Sequence, residues 1–85
     1  MSSDAASGIG QDTELALVFE QHRRHLRAIA YRMLGSLPEA DDAVQDTWMR
    51  FAAAGTVGVG NVPGWLTRIL TRACLNVLRA RAARP

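Results

Sequence analysis

Two groups of side chains in this 85-residue chain have the types and spacing to do chemistry, and in both the chemistry is binding. The first is acidic. Glu39, Asp41, Asp42 and Asp46 fall within one short run, with Gln45 and Met49 beside them. Asp42 and Asp46 stand four apart, so a helix would set them on one face, where like charges repel by a few tenths of a kcal/mol. A solvated face is the plain reading. A metal pair would lack further ligands at good spacing, and the third reading is a docking stripe for a basic partner, to which an exposed Met49 would add an adaptable apolar contact. The second group is basic: Arg68, Arg72, Arg79, Arg81 and Arg84, with Trp65 and Asn76 among them. Guanidinium forks bind phosphates bidentately. Asn can read a base edge, and an indole can stack on an unpaired base. The set suits nucleic acid; its plain reading is a solvated Arg-rich face with Trp65 as core filler.

Other constellations are weaker. His22 and His25, three apart, lack a further ligand at good spacing, so no metal site is expected. Cys74 lies between apolar residues with no His or Asp placed to activate it, and reads as a packed thiol. No phosphate-binding glycine loop and no nucleophile elbow occur. Without an acid–base–nucleophile set or a cofactor motif, an enzyme is the least favoured class, and no cofactor is expected.

The elements that must position these groups follow from period and punctuation. Leu15, Val18, Phe19, His22, Leu26, Ile29, Ala30 and Met33 recur at helical spacing, from an N-cap at Thr13 to Gly35, a residue suited to a left-handed helix end. The first helix is thus Thr13 to about Leu34. Ser36-Leu37-Pro38-Glu39 reads as a capping box with Pro in the first turn. A second helix, about Leu37 to Ala53, would then pack Leu37, Ala40, Val44, Trp48 and Phe51. Residues Ala54–Pro63 hold three Gly and a Pro and make a loop of the length that often carries function. A third helix, about Pro63 to Arg81, would pack Leu66, Ile69, Leu70, Ala73 and Val77. The fold class is therefore all-α: a small three-helix bundle over residues 13–85 behind a disordered N-terminal tail, 1–12. The acidic and basic groups fall on outward faces.

Composition agrees. Apolar residues are 48% of the chain, but 14 of them are Ala, which leaves material for one small core. All ten cations are Arg. The net charge of +2 hides alternating blocks, acidic before residue 22, basic over 23–32, acidic over 39–46 and basic over 68–84. A single Cys excludes an internal disulfide. No apolar run approaches a membrane span, and the acidic, small-residue N-terminus is unlike a secretory signal. A cytosolic protein with no membrane partner is expected.

The run Ala30–Phe51 (AYRMLGSLPEADDAVQDTWMRF) and the run Gly64–Arg84 (GWLTRILTRACLNVLRARAAR) together resemble region 2 of bacterial sigma factors, most of all the extracytoplasmic-function group. The motifs are short; their order and spacing carry the likeness, which covers about residues 15–84. The resemblance implies a cytoplasmic bacterial transcription initiation factor domain. It implies docking on the β′ clamp helices of core RNA polymerase through Asp42, Gln45 and Asp46, with Met49 and Glu39 at the same face. It implies recognition and melting of the promoter −10 element, on the non-template strand, through the loop at Gly55, Thr56, Val57, Gly58 and Asn61. Trp65, Arg68, Arg72 and Asn76 would contact that strand, and Arg79, Arg81 and Arg84 would hold its phosphates. Arg72 stands where many members carry Asn, which points to a phosphate contact in place of a base contact. The −35-reading helix-turn-helix of the family is not in this chain, so an isolated domain or a fragment is expected. A rival reading is a helical protein–protein module, an adaptor or a domain held by an anti-sigma factor. A duplex-reading helix-turn-helix is disfavoured by the long second connection.

Overall fold

The structure, a computed structural model, describes the backbone of residues 3–56 and 59–84 and the side chains from Thr13 onward within those ranges. Among the described residues all regular structure is helical: α1 (Ser3–Leu34), α2 (Leu37–Ala54) and α3 (Val62–Ala83). The predicted helix start and N-cap at Thr13 are corrected: helical backbone begins at Ser3, and Thr13 lies within α1, while among the described side chains the first buried one is Leu15, so packing against the bundle begins there.

Both connections form as their residues dictate. Gly35 takes a φ of +68°, open to glycine at no steric cost, and its N–H donates to the Tyr31 carbonyl at 2.8 Å, closing α1. Ser36 is extended, and its Oγ accepts from the Glu39 N–H at 3.3 Å, which caps α2 over Pro38. The Glu39 carboxylate turns to Arg81 of α3. At the other end of α2, Gly55 closes the helix at φ +72°. Asn61 then caps α3, its Oδ1 accepting from the Gly64 N–H at 3.0 Å. A Cβ on Gly64 would stand 2.7 Å from the Asn61 amide, so glycine there leaves room for the cap.

Each helix packs on both others. The core is Leu15, Phe19, Leu26, Ala30 and Leu34 of α1, Ala40, Ala43, Val44 and Phe51 of α2, and Leu66, Leu70 and Cys74 of α3. Phe51 is at its centre, with ring centroids 6.0 Å from Phe19, 6.3 Å from Trp48 and 5.8 Å from Trp65. Arg23 lies 5.3 Å over the Phe19 ring. Two departures from the predicted faces have simple causes. Leu37 is 47% exposed: helical side chains lean toward the N-terminus, so that of the first residue projects off the end of α2. Thr47 is fully buried, which its type hides, because its hydroxyl donates to the Ala43 carbonyl at 2.8 Å and presents its methyl to the core.

Two ion pairs tie α2 to its neighbours. Arg27 of α1 meets Asp41 at 2.7 Å. Arg81 of α3 reaches both Glu39 and the Leu34 carbonyl, the latter at 2.8 Å, and so clamps the α1–α2 turn from outside. Half-exposed pairs contribute little, but here the guanidinium also satisfies a helix-end carbonyl. Arg81→Ala is therefore expected to cost about 1 kcal/mol, read as a lower midpoint in urea with an unchanged m-value.

Candidate functional site

The acidic face of α2 divides on inspection into free and committed groups. Asp42, Gln45 and Met49 are exposed, Met49 at 61%, and no described group pairs with Asp42 or Gln45. Asp46 pairs with Arg50, one turn on, at 3.0 Å. Glu39 is held by Arg81. Of the five predicted docking residues, three thus stand free, one is paired within its own helix, and one doubles as a structural anchor.

The basic face of α3 divides the same way. Arg68 and Arg72 are exposed and have no carboxylate partner among the described residues. Arg79 lies 3.4 Å from the Asn76 side-chain oxygen, which makes those two one unit. Arg81 is committed to Glu39 and Leu34, so it is not a free cation for phosphate. Arg84 is exposed at the end of the helix. Trp65 is half-buried: its ring packs on Phe51, and its remaining surface is open. It therefore fills the core and offers a stacking surface at once. In the preceding loop, Gly55 and Thr56 are half-buried and Asn61 is spent on the α3 cap. Val57 and Gly58 lie outside the described residues.

Clefts connect these side chains. One of about 250 Å³ lies between Asn61, Gly64, Trp65 and Arg68. A second of about 470 Å³ runs along Arg68, Arg72, Leu75, Asn76 and Arg79. A third of about 270 Å³ has Trp65, Arg68, Ile69, Arg72 and Ala73 of α3 on one side and Asp46 and Arg50 of α2 on the other. Arg68 borders all three, so they form one continuous surface along α3.

The third cleft alters the picture drawn from the sequence, which sets the acidic and basic groups on separate outer faces. Because α2 and α3 pack directly, the flank of α2 bearing Asp46 and Arg50 borders the arginine face. Arg50 is the residue that sequence reasoning missed. Its signal was its place four residues after Asp46, a spacing that pairs charges on a helix.

Chemically, the surface can hold phosphates on unpaired guanidiniums and can stack a planar group on Trp65. Cys74 is fully buried, and desolvation pushes its thiol pKa up, away from the reactive thiolate. No group of three His, Cys, Asp or Glu that could hold a metal occurs among the described residues. Nor is any helix among them long and apolar enough to cross a membrane.

Comparison with known proteins places the amino-acid sequence in a family. The model of Sigma-70 region 2 covers residues 18–84, that is, the packed part of α1, all of α2, the loop and α3. The ECF RNA polymerase sigma factor SigG of Mycobacterium tuberculosis is 46% identical over 68 residues, 78% of this chain and 18% of its own. SigJ of the same organism, also an ECF RNA polymerase sigma factor, is 39% identical over 66 residues, 78% of this chain and 21% of its own. The ECF RNA polymerase sigma factor SigE of Mycolicibacterium smegmatis is 36% identical over 62 residues, 72% of this chain and 24% of its own. The chain thus spans about a fifth of the length of the curated relatives it matches. No solved structure matches it significantly. With its three packed helices, its acidic α2 and its Arg/Trp-bearing α3, the chain belongs to the sigma-70 region 2 family, within the ECF group.

Proposed function

We propose that this domain acts in the bacterial cytoplasm as a non-enzymatic part of a transcription initiation factor. It binds core RNA polymerase through α2 and promoter DNA through α3 and the loop before it. The observation that carries the reading is the pairing of two unsatisfied surfaces on one small bundle: exposed Asp42, Gln45 and Met49 on α2, and unpartnered Arg68 and Arg72 beside Trp65 on α3. The names of the relatives, all RNA polymerase sigma factors, support it.

In this reading Asp42 and Gln45, with Asp46 beside them, meet the β′ clamp helices, and Met49 packs at the rim. Duplex opening at the −10 element costs a few kcal/mol for each base taken out of the stack. Stacking on an aromatic ring returns about 1–3 kcal/mol per base, for which Trp65 is the available ring. Arg68, Arg72 and the Asn76–Arg79 unit hold the non-template strand by its phosphates, so affinity falls as salt rises. The loop at Gly55–Pro63 sets base preference. Arg81 belongs to the fold in this account and not to the contact with DNA.

The docking half is tested by capture of a β′ clamp-helix fragment on the immobilised domain. Asp42→Ala and Gln45→Ala are each expected to weaken capture about tenfold while leaving the thermal melt unchanged, since both side chains are exposed. Capture undiminished by both would remove α2 as the docking element. The rival reading, a protein–protein module without nucleic-acid recognition, makes the opposite forecast for DNA: no binding to a single-stranded −10 oligonucleotide even at low salt.

A further inference from the structure

The cleft between α2 and α3 holds a cation that the proposed DNA contacts leave out. Arg50 lines it opposite Arg68 and Arg72, and Trp65 forms part of the α3 wall. Arg50 is 63% exposed along its side chain, so nothing buries it. What occupies it is Asp46, whose carboxylate lies 3.0 Å from Nε and lines the same cleft. Asp46 therefore does two things to a phosphate arriving there: it repels the phosphate, and it holds Arg50.

We propose that Arg50 is a further nucleic-acid-contacting residue, held in reserve by Asp46 until a basic group of the polymerase engages that carboxylate. The proposal rests on the functional reading above, in which Asp46 belongs to the docking face and the cleft belongs to the DNA face. An exposed ion pair at helical spacing is weak, so a partner's cation can displace Arg50 from Asp46 at little cost. The freed guanidinium stays tethered at the cleft, where it joins Arg68 and Arg72 on the strand. Docking on α2 then strengthens DNA binding on α3. By linkage, DNA binding strengthens docking by the same factor. No long-range change of shape is needed, because the two sites meet at one carboxylate.

Replacing Asp46 by Asn mimics the engaged state by removing the carboxylate's hold. The test measures binding of a short single-stranded oligodeoxynucleotide to the free domain across a salt series. Wild type, Asp46→Asn, Arg50→Ala, the double variant and Arg72→Ala are compared. Thermal melts verify folding, which an exposed pair should not disturb. Asp46→Asn is expected to tighten binding about two- to fivefold, the range that the strength of an exposed ion pair allows, and to steepen the salt dependence by up to about 0.7, the increment for one more phosphate contact on a single strand. Arg50→Ala alone should weaken binding less than about twofold. In the double variant most of the gain should vanish.

If the gain from Asp46→Asn is equally large with Ala at position 50, the carboxylate acts only through its field, and the proposal is overturned. It is overturned as well if Arg50→Ala weakens the wild type as much as it weakens Asp46→Asn, because Arg50 would then already be engaged. The Arg72→Ala arm separates the two levels. If Arg72→Ala weakens binding while the gain ignores Arg50, the DNA reading stands and this inference alone fails. If neither wild type nor Arg72→Ala binds the oligonucleotide, the DNA reading fails and takes the inference with it.

Discussion

Phe51→Ala is expected to be among the most destabilising single substitutions in the domain. Phe51 is fully buried, and its ring meets those of Phe19, Trp48 and Trp65, one or more from each helix. Truncating a buried Phe typically costs about 3–5 kcal/mol, from lost transfer energy and the cavity left behind. A domain of this length has roughly 4–13 kcal/mol in total, so the loss takes a large share of it. The cavity would open beneath Trp65, so any remaining folded fraction should also bind DNA less well. Urea titration followed by tryptophan fluorescence and by far-ultraviolet circular dichroism checks this, and the two probes should lose their transition together. Phe51→Leu, which keeps most of the volume, should cost under about 2 kcal/mol. A Phe51→Ala domain as stable as wild type would mean that the three helices do not share this centre.

The second large effect concerns Arg68 and Arg72. Replacing both with Ala is expected to weaken binding of a single-stranded −10 oligonucleotide by ten- to a hundredfold at low salt and to leave the melting temperature within about 2 °C. The asymmetry follows from their setting. Both are exposed and have no partner among the described residues, so little loss of stability is expected without them. Both border the same clefts, so the loss should be felt at one bound strand. On the salt axis the double variant should lower the slope by about 1.4, twice the single-strand increment for one phosphate. Arg81→Ala offers the contrast: stability falls, and the slope stays near that of wild type. If Arg81→Ala lowered the slope as Arg72→Ala does, its commitment to Glu39 and Leu34 would not survive DNA binding.

Much of this was legible in the residues themselves. Gly35 and Ser36 mark the first turn, and each takes the backbone role its chemistry suggests. The periodic positions Leu15, Phe19, Leu26, Val44, Phe51, Leu66 and Leu70 are all buried. What periodicity gives is a face for each helix taken alone. It does not give the rotation of one helix against the next, and the misplacements trace to that. Asp46 read as part of an outward acidic face, yet it lies with Arg50 on the flank that adjoins α3. Glu39 and Arg81, 42 residues apart, read as a docking group and a phosphate contact, yet they hold one another. Asn61 read as a loop residue free for DNA, and its side-chain oxygen caps α3. In each case a polar residue that looked available was already answering a local need for a partner. Trp65 shows the converse, since it packs on Phe51 as core filler and yet is only half-buried, with surface left over for the proposed stacking.

In the function proposed, one bundle carries two adjoining surfaces, α2 for a polymerase and α3 for a single strand. Residue-by-residue amide shift mapping of the domain, titrated in turn with a β′ clamp-helix fragment and with a single-stranded −10 oligonucleotide, tests it most directly. The fragment should move amides from Asp42 to Met49. The oligonucleotide should move those from Trp65 to Arg79 and in the Gly55–Asn61 loop. The two footprints should overlap only around Asp46 and Arg50. Shifts from the oligonucleotide that fall instead on the outer face of α1, around Arg24, Tyr31 and Arg32, or no shifts from either ligand, would contradict it.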